Sequence, residues 1–104
     1  MGTPIDIRNV EEKEKLYPSA VIEIAQTISD TNWTQIPNFI NSKVKKWFLK
    51  LRDSSIVWYY CFNASGDPYR TVAAGDYVAF ATDPDAVYVK VASSPQVIEG
   101  EIWI

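Results

Sequence analysis

SIVWYYCFNASGDPYRTVAAGDYVAFATDPDAVYVKVASSPQVIEGEIWI, residues 55–104, is the stretch that decides the fold. It holds five short runs rich in Val, Ile, Tyr, Phe and Trp, separated by Ser65, Gly66, Asp67 and Pro68, by Ala74, Gly75 and Asp76, by Asp83, Pro84 and Asp85, and by Ser93, Ser94 and Pro95. β-branched and aromatic residues suit a pleated, half-buried surface, and the intervening residues are turn formers. The alternation is cleanest in residues 86–92, where Val87, Val89 and Val91 face inward and Tyr88 and Lys90 outward. In residues 97–104, Ile98, Ile102 and Ile104 share one face, with Val97, Glu99, Glu101 and Trp103 opposite. Gly100, inside that run, predicts a bulge or a close backbone approach. The last run ends on the last residue, which predicts a β-fold closed by its own C-terminal strand with no appended active-site segment.

Working backward, residues 44–52 alternate as a half-buried strand must. Lys45, Trp47, Leu49 and Leu51 share the inward face, and Lys46, Phe48, Lys50 and Arg52 the outward one. Phe48 is out of place among lysines, so it is an exposed anchor or lies under a lysine stem. Asp53 and Ser54 make a short connection, which predicts a hairpin with residues 55–63. Those residues are apolar on both faces, with Ile56, Trp58, Tyr60 and Phe62 on one and Val57, Tyr59 and Cys61 on the other. Residues 33–36 read as another short strand. Residues 20–28 are ambiguous: Val21, Ile24, Ala25 and Ile28 have helical spacing with Ser19 as a cap, whereas the β-branched content favours strand. Residues 1–18 read as an N-terminal arm, with Ile5, Ile7 and Val10 able to form an extended segment and Pro18 ending any helix. The expected architecture is all-β: an antiparallel β-sandwich or jelly-roll-like domain over residues 19–104, of seven to eight short strands.

Composition narrows the chemistry. At 104 residues, one domain is expected, large enough for a real core. There is no histidine, which removes the commonest general base and metal ligand and any Ser-His-Asp or Cys-His site within one chain. Cys61 is the single cysteine, so no internal disulfide or thiolate cluster can form, and an unpaired thiol fits a reducing compartment such as the bacterial cytoplasm. The net charge of −3 gives no general attraction to nucleic acid or to an anionic membrane. No apolar run reaches the length of a bilayer span, and the N-terminus carries no signal-like segment.

Each candidate site has a plain structural alternative. Lys43, Lys45, Lys46, Lys50 and Arg52, beside Trp47, Phe48, Tyr59 and Tyr60, have the chemistry of a single-stranded nucleic-acid track, but also of a solvated strand face. Asp67, Asp76, Asp83 and Asp85 could ligate calcium, yet match no defined loop, and Asp is an ordinary turn former. Asn32-Trp33-Thr34 and Asn63-Ala64-Ser65 match the N-glycosylation pattern and read as turns. The Trp and Tyr residues suit either a core and oligomer contacts or a sugar-stacking platform. Trp58, Tyr59 and Trp103 are the expected exposed aromatics. With Ile5, Ile7, Val10 and Phe48, they make up the expected partner interface. No catalytic residue, metal or cofactor is expected.

SSIVWYYCFNASGDPYRTVAAGDYVAF and AVYVKVASSPQVIEGEIWI, with a fainter echo in VIEIAQTISDTNWTQIP, resemble small virion structural proteins of tailed bacteriophages, including those of gut phages. The likeness covers residues 44–104 and lies in the aromatic strand, the Gly-containing turn, the VYVK-type strand and the terminal strand. It implies a non-enzymatic β-sandwich of the virion, an auxiliary or decoration protein of the capsid, made in the bacterial cytoplasm. Its implied partners are other virion proteins and further copies of itself, with no nucleic acid and no membrane. The alternative expectation is a carbohydrate- or receptor-binding module of a phage tail or fibre.

Overall fold

In the computed structural model, residues 20–39 and 43–104 are described; the predicted arm at 1–18, with Ile5, Ile7 and Val10, lies outside them. The described residues form eight strands: β1 (Val21–Ile28), β2 (Thr34–Gln35), β3 (Lys46–Leu51), β4 (Trp58–Cys61), β5 (Arg70–Val72), β6 (Tyr77–Phe80), β7 (Tyr88–Val91) and β8 (Gln96–Trp103). A 3₁₀ turn, Pro37–Phe39, follows β2. Within residues 20–28 the ambiguity falls to strand: β1 pairs along the whole length of β8, from Val21 opposite Trp103 to Ile28 opposite Gln96.

Two four-stranded antiparallel sheets face each other, with orders β1-β8-β3-β6 and β2-β7-β4-β5. Successive strands alternate between the sheets up to β4. This is the order of a jelly roll, two Greek keys rolled into a sandwich. The expected all-β sandwich is therefore the observed one.

The predicted hairpin between residues 44–52 and 55–63 does not form. β3 pairs with β8 and β6, so both its edges are taken, while β4 lies in the opposite sheet between β7 and β5. The connection bends the chain across the sandwich. The Asp53 carboxylate accepts the Ser55 backbone N–H at 2.9 Å, and the Ser55 hydroxyl donates to the same oxygen at 2.6 Å. That Asx turn satisfies the backbone locally and frees the next strand to leave the sheet.

The inner faces follow the sequence alternation. Val87, Val89 and Val91, Ile98 and Ile102, and Leu49 are fully buried, and Trp47 and Leu51 nearly so. Each such aliphatic side chain contributes about 1.5–3 kcal/mol of burial free energy. An aromatic chain ties the sheets together at one end. Trp47 meets Phe39 edge-on at 5.2 Å between centroids and lies 5.3 Å from Phe80; Phe80 is 6.2 Å from Tyr60, and Tyr60 meets Phe62 at 5.7 Å. Gly100 stands opposite both Ile24 and Leu49 in an unbroken register, so the strand carries no bulge. The close approach is real: a Cβ at Gly100 would collide with the Phe48 carbonyl oxygen and lie 3.1 Å from Leu49 Cα.

Candidate functional site

The jelly-roll interior is filled with apolar side chains, and no polar or charged residue is buried among the described residues. The polar and charged side chains of the described residues therefore lie on the outer faces and in the connections. Trp58, expected at an interface, sits in the core at 1% exposure, and its indole N–H has no acceptor. The alternation could not decide this, because both faces of β4 are apolar. Tyr59, one residue on, takes the outward direction and is half-buried.

On the outer face of the first sheet, register puts Trp103 between Val21 and Lys46, Glu101 between Glu23 and Phe48, and Glu99 between Ala25 and Lys50. Phe48 and Trp103, both predicted contact residues, come together in one shallow apolar groove of about 320 Å³ with Ala79, Phe80 and Ala81. The Lys46 ammonium lies 3.7 Å from the centroid of the Trp103 ring, and the Trp103 indole N–H donates to Glu101 Oε2 at 2.9 Å. Arg52 Nε donates to Glu99 Oε2 at 3.0 Å, and Lys50 Nζ lies 3.4 Å from Glu99 Oε1. The Arg52 hydrogen bond chiefly, with Lys50 assisting against desolvation, holds the Glu99 carboxyl below the usual carboxylate range. Hydrogen bonds from the Ser55 hydroxyl and backbone do the same for Asp53. Lys46, Lys50 and Arg52 are thus engaged by neighbours on their own sheet, unlike a row of cations presented to phosphates.

The turn aspartates have structural work. Asp83 Oδ1 accepts the Val44 backbone N–H at 3.2 Å, and Asp30 Oδ1 that of Asn32 at 2.8 Å. Among the described residues, no group of three or more Asp, Glu or Cys side chains comes together in the manner of a metal site. Asn63, in one of the two Asn-X-Ser/Thr patterns, donates through Nδ2 to the Asp67 carbonyl at 2.8 Å and so helps build its own turn.

The outer face of the second sheet carries a feature that sequence reasoning missed. Trp33, Tyr59 and Tyr69 frame a depression of about 360 Å³ completed by Gly66, Lys90 and Ala92. The Trp33 and Tyr69 rings are 5.9 Å apart at 54°, and Tyr59 meets Tyr69 edge-on at 5.7 Å and 87°. Register places Tyr59 directly beside Lys90, whose ammonium is 5.9 Å from the Trp33 ring centroid. Gly66, at φ +76°, lies so close to the Trp33 indole that a Cβ there would collide with it. The turn is fastened by the Gly66 N–H to the Asn63 carbonyl at 3.2 Å and by the Ser65 hydroxyl to the Asn63 side chain. The indole is thereby backed by main chain rather than by a movable side chain. The three rings come from three separate segments, so no local pattern announced them. The one available signal was Gly66 in a turn flanked by aromatics.

No helix among the described residues is long and apolar enough to cross a membrane. No protein-family model matches the chain, and no curated protein matches it in sequence. Among solved structures, the chain is similar to an HTH_3-family transcriptional regulator from Vibrio cholerae, with a TM-score of 0.57 and 11% identity over 86% of this chain. It spans 48% of that regulator's length. At this identity the likeness carries the fold alone; a jelly roll hosts many unrelated functions.

Proposed function

We propose that this chain is a non-enzymatic virion structural protein of a tailed phage, an auxiliary or decoration protein that works by protein–protein contact. The observation that carries the reading is the exposed periphery of the first sheet. Among the described residues, β1 is an eight-residue edge strand with β8 on one side, and β6 is the opposite edge, with Tyr77 65% exposed. A long unpaired edge is a template for another strand. The Phe48–Trp103 groove lies between these edges, and Val21, half-exposed, stands beside Trp103. Copies docked through such surfaces into a closed assembly bury the aromatics, and many weak contacts then act together.

The outward placement of Phe48 and Trp103, together in one apolar groove, supports this reading. The resemblance to small phage structural proteins supports it from sequence. Light scattering on the purified protein tests it: a defined trimer or hexamer is expected, and a monomer at high concentration opposes it. The aromatic depression of the second sheet favours a second reading, a carbohydrate- or receptor-binding module of a tail or fibre.

A further inference from the structure

We propose that the depression framed by Trp33, Tyr59 and Tyr69 binds a single pyranose ring bearing a carboxylate, stacked on the aromatics and paired with Lys90. This inference rests on the second reading above and names its site and ligand class. Four observations meet here. The depression, at about 360 Å³, lies near the lower end of the roughly 300–1,000 Å³ typical of ligand sites, which suits one ring rather than a long chain. Its walls are aromatic on more than one side, with Trp33 and Tyr69 inclined at 54° and Tyr59 perpendicular to Tyr69. The face of a pyranose presents axial C–H groups that lie on the electron-rich face of such rings, while its hydroxyls stay in water.

The third observation is charge. Lys90 is half-buried beside the rings, and among the described residues no carboxylate pairs with it. Among the described residues it is the one cation lining the depression, which matches one ligand carboxylate; a phosphodiester track calls for a row of cations. The fourth is rigidity. Trp33 is set against the Gly66 main chain, and the turn carrying Gly66 is hydrogen-bonded within itself, so the stacking surface is preformed and little ordering cost falls on binding.

The test uses the full chain and five probes: the methyl glycosides of glucuronate, galacturonate and N-acetylneuraminate, and the neutral methyl glucoside and methyl galactoside. Binding is read from the Trp33 indole N–H resonance and by calorimetry. At least one acidic glycoside is expected to bind more tightly than its neutral counterpart, less so at high salt. Lys90→Gln should erase the preference for the acid, and Trp33→Ala and the exposed-ring variant Tyr69→Ser should each weaken binding about tenfold or more. Tyr69→Ser keeps the test valid if Trp33→Ala disturbs the local fold. Equal binding by wild type and both aromatic variants overturns the site but leaves the glycan-module reading standing. Failure of all five probes overturns the site, and failure of a broad glycan array as well overturns that reading. Oligothymidylate is added as a control, and a Trp33 shift given by it and by none of the five glycosides overturns the proposal in favour of base stacking.

Discussion

Gly100→Ala should destabilise the fold by about 2–3 kcal/mol. The added methyl would run into the Phe48 carbonyl oxygen and sit 2.9 Å from the Phe48 carbonyl carbon and 3.1 Å from Leu49 Cα. These are backbone atoms of β3, held between β8 and β6, so no side-chain rotamer change relieves the contact. Overpacking of this kind costs about 1–3 kcal/mol, and displacing β3 weakens at least one ladder hydrogen bond worth about 1 kcal/mol. Against this, alanine lowers the entropy of the unfolded chain and returns about 0.4–1 kcal/mol. For a domain of this size the net loss corresponds to a fall in Tm of about 8–24 °C. Urea unfolding followed by tryptophan fluorescence measures it, because Trp47 and Trp58 are buried. Gly75→Ala is the control: Gly75 has φ +83°, and a Cβ there meets only the Ser54 carbonyl oxygen at an ordinary 3.4 Å. That variant carries the left-handed backbone penalty alone, about 1–2 kcal/mol. A Gly100→Ala protein as stable as wild type, or no less stable than Gly75→Ala, would refute the steric reasoning.

Three further outcomes follow from the same geometry, and a fourth from the sequence of the N-terminal segment. Trp58→Phe should cost less than Trp47→Phe in urea unfolding, because Trp58 buries an N–H without an acceptor whereas Trp47 donates to Thr82 Oγ1 at 3.4 Å. Glu99→Gln should lower stability slightly at neutral pH. The Glu99 carboxyl is depressed in the folded state, so its contribution is complete above the ordinary carboxylate value and disappears as pH falls through the lowered folded one; acid titration of both proteins should show the gap closing there. Cys61, buried and donating to the Asn63 carbonyl at 3.1 Å, should resist a thiol reagent in native buffer and react fully in urea. Deleting residues 1–18 should leave the circular dichroism spectrum intact and abolish incorporation into particles; unimpaired incorporation would remove the arm from the account.

The strands with one polar face were legible in the sequence. Val87, Val89 and Val91, and Trp47, Leu49 and Leu51, alternate with charged or exposed neighbours, so period two alone assigns their faces. Gly100 was legible as either a bulge or a close approach, and only the unbroken register and the nearness of the Phe48 carbonyl decide for the second. The route of the chain between sheets was not legible. A short polar link after β3 reads locally as a hairpin, and only the pairing of β3 with β8 and β6, from distant sequence, excludes it. The exposed aromatics were poorly legible: Tyr59, Phe48 and Trp103 lie on outer faces but are half-buried, the exposed rings among the described residues are Phe62, Tyr69 and Tyr77, and Trp58 went inward because nothing polar on β4 marks the solvent side. Trp33, Tyr69 and Lys90 meet only through tertiary structure, and composition alone could say no more than that aromatics were abundant.

The most direct test of the central claim is quantitative mass spectrometry of purified phage particles from the lysate in which this chain is made. The protein is expected in many copies per particle, retained through density-gradient purification and removed only by treatments that strip the shell. Its absence from the particles, with the protein recovered entirely in the soluble lysate, would contradict the account.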